Sequence, residues 1–190
     1  MILSTLQIVA LAWMGLCWFA WGMSFRKPSK QAQGQEKVVR APASRWGIFF
    51  VMLGFACIWA FVRPVGFEKS AASLIASMVL GPPSVVLVWM AARHLDKQWR
   101  FEAALSEDHK LITTGPYRWL RNPIYASMLG MLLATGFAKT WWPPLVAGVI
   151  FFVIGTEIRV RAEERLLAAR FGEEFAQYKT TTPAYFPFLR

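Results

Sequence analysis

The sequence predicts an all-α, polytopic membrane protein with about five transmembrane helices and a cytoplasmic C-terminal helix. Three observations predict it. The first is composition: 56% of the 190 residues are hydrophobic and only 17% are charged, against about 25% charged residues in ordinary soluble domains. The second is the gathering of apolar residues into five runs, 1–25, 46–62, 71–92, 124–138 and 141–156. A helix needs about 20 residues to cross the hydrocarbon core, so the last two runs must draw on flanking residues. The third is the placement of positive charge. Eighteen of the 21 Lys and Arg residues fall in 26–45, in 93–123 and after residue 158, leaving only Arg63, Lys69 and Lys139 in the alternate connections. Basic loops stay in the cytoplasm, which sets the N-terminus outside and the C-terminus inside.

The first run has no Lys or Arg ahead of it, no clear small-residue cleavage site and too long a core for a signal peptide, so it is read as a retained span. Loop 26–45, rich in Lys, Gln, Gly and Pro, is expected to be mobile. Gly47 and Gly54 in the second run, and Gly148 and Gly155 in the fifth, recur seven apart and would let helices approach closely. In the third run, Pro82-Pro83 after Gly81 implies a kink or a partly unwound turn. The stretch 93–114 is amphiphilic and is expected to lie along the cytoplasmic surface. Trp99, Phe101 and Leu105 would sit in the interface, with Lys97, Arg100 and Glu102 in water. Beyond the fifth run, Leu166, Leu167, Phe171 and Phe175 recur at helical spacing, so a helix continues into the cytoplasm. Gly172 is placed to cap or kink it, and Pro183 and Pro187 stop any continuation. The whole, 1–190, is a single integral membrane domain.

Several function classes fall away. The net charge of +10 is explained by basic loops that set topology and attract anionic headgroups, and no nucleic-acid recognition motif accompanies it. Cys17 and Cys57 lie in apolar runs and read as small packing residues. His94 and His109 share a cytoplasmic segment without helical pairing and are read as solvated; no metal site is expected. No two glycines lie two residues apart, which excludes the Gly-rich turn of a Rossmann-type site.

Two polar cassettes remain, each beside an oily segment where charge is costly and usually has a task. The first is Gly115-Pro116-Tyr117-Arg118-Trp119-Leu120-Arg121-Asn122-Pro123-Ile124-Tyr125. Gly115-Pro116 makes a turn, and Pro123 keeps Asn122 extended and suits the first turn of the fourth helix. The free N–H groups of that turn would favour a carboxylate or phosphate. Arg118 reads as a residue snorkelling to headgroups, whereas Arg121, wedged between loop and helix, reads as functional. The second cassette begins at Glu163-Glu164, with Arg159, Arg161 and Arg165 as neighbours, and runs through Phe171-Gly172-Glu173-Glu174-Phe175 to Tyr178. Glu157, at membrane depth, needs a partner, for which an arginine of the first cassette is expected.

These motifs, with Leu111-Ile112-Thr113-Thr114 ahead of them, resemble the isoprenylcysteine carboxyl methyltransferase and phospholipid methyltransferase family over about residues 95–188. The resemblance implies a helical membrane enzyme using S-adenosylmethionine, its cofactor held in a cytoplasm-facing pocket of the half 93–190. A lipophilic substrate would enter from the bilayer of what is read as a bacterial inner membrane, among membrane lipids. Carried over by position, Gly115, Pro116, Tyr117, Arg121, Asn122, Pro123 and Tyr125 would bind the cofactor from one side, and Glu163 and Glu164 from the other. Catalytic roles would fall to Arg121, Glu163 and Tyr125. Asn122 stands where the carboxyl methyltransferase branch has His, so this chain looks more like the phospholipid and amine methylating branch. The methyl acceptor, an amine, a carboxylate or a thiol, stays open. The alternatives are a membrane reductase of related architecture using NADPH, and a non-enzymatic membrane subunit.

Overall fold

The computed structural model describes residues 4–25, 39–40, 44–60, 69–95, 104–105 and 111–185. Six α-helices carry most of them: α1 (Thr5–Met23), α2 (Ser44–Ala60), α3 (Ala71–Leu95), α4 (Pro123–Lys139), α5 (Trp142–Phe171) and α6 (Glu173–Thr181). A 3-10 turn, Gly115–Arg118, precedes α4. Two-residue strands β1 (Val39–Arg40) and β2 (Ala104–Leu105) pair antiparallel. The first five helices fall on the five apolar runs, so the helical class stands. Among them α1 and α3 have the length and apolar composition to cross a membrane, while α2 is apolar but 17 residues long. Phe19, Trp46, Met52, Val79 and Ile150 are each more than half exposed. So much exposed apolar surface marks contact with lipid rather than water.

The central element is α4, ten of whose 17 residues are buried. On one side Met14 and Cys17 of α1 pack with its Met131, Ala134 and Ala138. On the other, Val51 and Ile58 of α2 and Phe152 of α5 pack with its Leu132. Polar links fasten α1 to the same helix: Trp18 Nε1 donates to Thr135 Oγ1 at 2.9 Å and Trp21 Nε1 to Ser127 Oγ at 2.8 Å. The four expected glycines meet one another. A Cβ on Gly155 would lie 2.6 Å from the Gly47 carbonyl oxygen, and one on Gly54 would lie 2.7 Å from that of Gly148. Here α2 and α5 touch backbone to backbone.

Two expectations need correction. The Pro82-Pro83 pair does not unwind α3, which runs unbroken from Ala71 to Leu95. Pro82 leaves the Met78 carbonyl without its helical donor, and Trp13 Nε1 of α1 supplies one at 3.1 Å. Ser84 Oγ donates to Leu80 O at 2.8 Å in the same region. A neighbouring helix thus satisfies the backbone group that proline strands. The second concerns 93–114: residues through Leu95 complete α3, and Ala104–Leu105 is strand, with Leu105 opposite Val39. Trp99, Phe101, Lys97, Arg100 and Glu102 lie outside the described residues, as does most of loop 26–45.

Candidate functional site

Gly115 opens the site with φ +61°, a conformation that favours glycine. A Cβ there would also come within 2.2 Å of His94 Nε2. His94 therefore belongs to the last turn of α3, its Nδ1 2.8 Å from Met90 O, rather than to a polar loop. Pro116 and Tyr117 are buried, and the Tyr117 carbonyl accepts from Tyr178 OH of α6 at 2.5 Å. Arg118 is exposed. Burial raises the Tyr117 phenol well above its usual pKa, reinforced by Tyr178 and Glu163 nearby. Burial also pushes Tyr178 up to about 12, with Arg121 pulling the other way. Both phenols stay protonated at neutral pH.

Arg121 binds the two cassettes together. Its Nε and Nη2 donate to Glu164 Oε1 at 3.1 and 2.9 Å, and its Nη1 donates to the carbonyls of Lys179, at 3.0 Å, and Thr182. Lys179 Nζ reaches the other Glu164 oxygen at 2.7 Å. The guanidinium keeps only 5% of its side-chain surface exposed, so this is a buried pair with most of its donors satisfied. The backbone continues the seam: Arg121 N donates to Pro183 O at 2.9 Å and Asn122 N to Ala184 O at 3.0 Å. Asn122 Nδ2 adds a bond to the same Ala184 oxygen at 3.2 Å. Asn122 thus fastens the tail at the start of α4, where Pro123 takes the first position and is fully buried.

One turn into α4, Tyr125 OH donates to Glu163 Oε1 at 2.6 Å and accepts from Arg159 Nε at 2.6 Å. Arg159 Nη2 lies 3.3 Å from the same carboxylate. Burial raises the Glu163 pKa, and Arg159 and the Tyr125 hydroxyl oppose that rise. A raised pKa makes this carboxylate a better proton acceptor than a free one.

On the neighbouring face of α5, a cavity of about 140 Å³ is lined by Arg121, Glu157, Val160, Arg161, Glu164, Ala184 and Tyr185. Glu157 finds its ion-pair partner on its own helix, Arg161 Nε at 2.7 Å, instead of in the first cassette. Tyr185 OH donates to its other oxygen at 3.2 Å. Of the residues expected to hold a cofactor, Arg121 and Glu164 line this cavity. Tyr125 and Glu163 form the separate cluster with Arg159, and Gly115, Pro116, Tyr117, Asn122 and Pro123 shape the loop and its attachments. Arg159, Arg161 and Tyr185 escaped the sequence reading as site residues. The i,i+4 spacing of Arg159 to Glu163 and of Glu157 to Arg161 was the available signal for the arginines. Nothing local in sequence marked Tyr185.

Residues 72–174 match the phospholipid methyltransferase family. Among curated proteins the chain is 34% identical over 84 residues to the cobalt-zinc-cadmium resistance protein CzcN of Cupriavidus metallidurans, covering 44% of this chain and 38% of that one. It is 31% identical over 84 residues to the protein-S-isoprenylcysteine O-methyltransferase of Saccharomyces cerevisiae, covering 43% and 34%. The human protein of that name is 31% identical over 96 residues, covering 45% and 30%. These matches span roughly a third of each relative's length. With more than half of its length matched and the two cassettes joined through Arg121 and Glu164, the chain belongs to the phospholipid methyltransferase family.

Proposed function

We propose that this protein transfers a methyl group from S-adenosylmethionine to a lipid or lipophilic small molecule at the cytoplasmic membrane face. One observation carries the reading: the loop ahead of α4 and the acidic stretch of α5 close on one cavity, joined by the 2.9 Å Arg121–Glu164 pair. Two carboxylates and two guanidiniums around one half-open cavity suit a ligand bearing both charges, as the amino-acid end of the donor does. When bound, the donor supplies an electrophilic methyl on a sulfonium. The residues' task is then alignment and exclusion of water. Arg121 and Glu164 would hold the charged end, while the tail at Ala184 and Tyr185 covers it. Glu163, hydrogen-bonded to Tyr125 and Arg159, would take the proton that an amine acceptor must release.

The same proposal includes five crossings with the N-terminus outside. Lys69 donates to Gly136 O at 3.3 Å and to Thr140 O at the far end of α4 from Arg121. The 17 residues between rise about 25 Å. Lys69 and Lys139 thus lie at the end of this helix opposite Arg121, which supports the reading.

Titrating S-adenosylhomocysteine into the purified protein in detergent tests the donor reading, with saturable binding the expected result. Binding of NADPH instead would support the reductase, and binding of neither the non-enzymatic subunit. Incubating membranes with methyl-tritiated donor and analysing the extracted lipids identifies the acceptor class.

A further inference from the structure

The family match ends at residue 174, and the cavity does not. Part of its wall comes from Ala184 and Tyr185, ten and eleven residues further on at the described limit of the chain. That wall is built in. Pro183 and Ala184 accept backbone N–H bonds from Arg121 and Asn122 at 2.9 and 3.0 Å. The Asn122 amide adds a third bond, and Arg121 Nη1 holds the Thr182 carbonyl just before. Ala184 is buried at 5% exposure. Tyr185 is therefore brought to the cavity by a fastened segment, with its hydroxyl on Glu157 at 3.2 Å.

We infer that Tyr185 is a ligand-contacting residue, its ring forming the face against which the positively charged sulfonium end of the methyl donor rests. This rests on the donor reading above and deepens it. An aromatic face attracts a cation through its quadrupole, most strongly where water is displaced. Glu157 accepts the phenol hydrogen at the cavity lining, and its own charge is balanced by Arg161 at 2.7 Å. Tyr185 stays a neutral phenol, because burial and the neighbouring Glu157 raise its pKa. The wall thus offers a cation a π face beside a carboxylate without placing a bare negative charge in the cavity. A neutral thioether at the same place gains no such attraction, so the wall favours donor over spent product.

The test compares two probes on the full chain in detergent. Sinefungin carries an ammonium group in place of the methylsulfonium, and S-adenosylhomocysteine is uncharged at that atom. In Tyr185→Leu the preference for sinefungin should fall by about fivefold relative to wild type, while Tyr185→Phe should retain it. Equal weakening of both probes in Tyr185→Leu would make the residue a tail anchor and overturn the inference. An unchanged ratio, or loss of the preference in Tyr185→Phe, would overturn it as well. Should Tyr185→Leu fail to fold, Tyr185→Trp provides the reading: it should keep or raise the preference, and a loss counts against the π face. A wild-type protein that binds neither probe removes the donor reading and this inference together. Wild-type binding with a flat ratio removes this inference alone.

Discussion

Replacing Gly155 by Ala should destabilise the protein by wedging α2 away from α5. The added Cβ would lie 2.6 Å from Gly47 O and 2.6 Å from Val51 N, both backbone atoms that cannot turn aside. A carbon–oxygen contact needs about 3.3 Å, so the two backbones must part by roughly 0.7 Å. A gap of that size forfeits about a quarter to a half of the dispersion energy along the seam. Overpacking of this kind costs about 1–3 kcal/mol, and the better helix propensity of Ala returns up to about 1 kcal/mol. The expected net loss is therefore about 1 kcal/mol, and at most about 2 kcal/mol. Reversible unfolding in mixed micelles of rising dodecyl sulfate fraction, followed by the fluorescence of the ten tryptophans, would measure it. Gly15→Ala is the control, since nothing lies within 4 Å of a Cβ there; it should be neutral or slightly stabilising. If Gly155→Ala proved as stable as wild type, the backbone contact between α2 and α5 would be wrong.

Other outcomes follow from the same geometry. Arg121→Ala leaves Glu164 to Lys179 alone and strips the carbonyls of Lys179 and Thr182 of a donor. It should cost about 3–5 kcal/mol in the same unfolding assay. By contrast, Arg161→Ala breaks a pair whose side chains are 62% and 36% exposed, so it should change stability by less than about 1 kcal/mol. Trp13→Phe should cost about 0.5–1.5 kcal/mol and markedly less in a Pro82→Ala background, because alanine restores the helical donor to Met78 O. A double-mutant cycle showing no coupling between those two sites would refute that account. Tyr125→Phe removes the hydroxyl lying between Arg159 and Glu163. It should slow methyl transfer by tenfold or more while leaving S-adenosylhomocysteine affinity within about twofold, as rate and binding measurements would show.

Hydropathy sufficed to locate five apolar helices, because a segment surrounded by apolar material must be apolar along its length. The glycine pairs were equally legible, since a residue without a side chain announces a close approach. Their register was not: that Gly47 meets Gly155 and Gly54 meets Gly148 follows from antiparallel packing of two distant segments. That Pro82 leaves α3 wound was hidden for the same reason. Its missing N–H is a local fact, whereas the Trp13 donor that compensates comes from a helix 65 residues earlier in the chain. The two cassettes stood out as charged residues beside apolar runs. Which arginine meets which carboxylate was left to tertiary structure: Arg121 takes Glu164, Arg159 shares Glu163 with Tyr125, and Glu157 turns to Arg161. Charges at a helix face have several partners within reach, and only the folded backbone selects among them. The tail shows this most plainly, because Ala184 and Tyr185 carry no signal until hydrogen bonds to Arg121 and Asn122 lay them across the cavity.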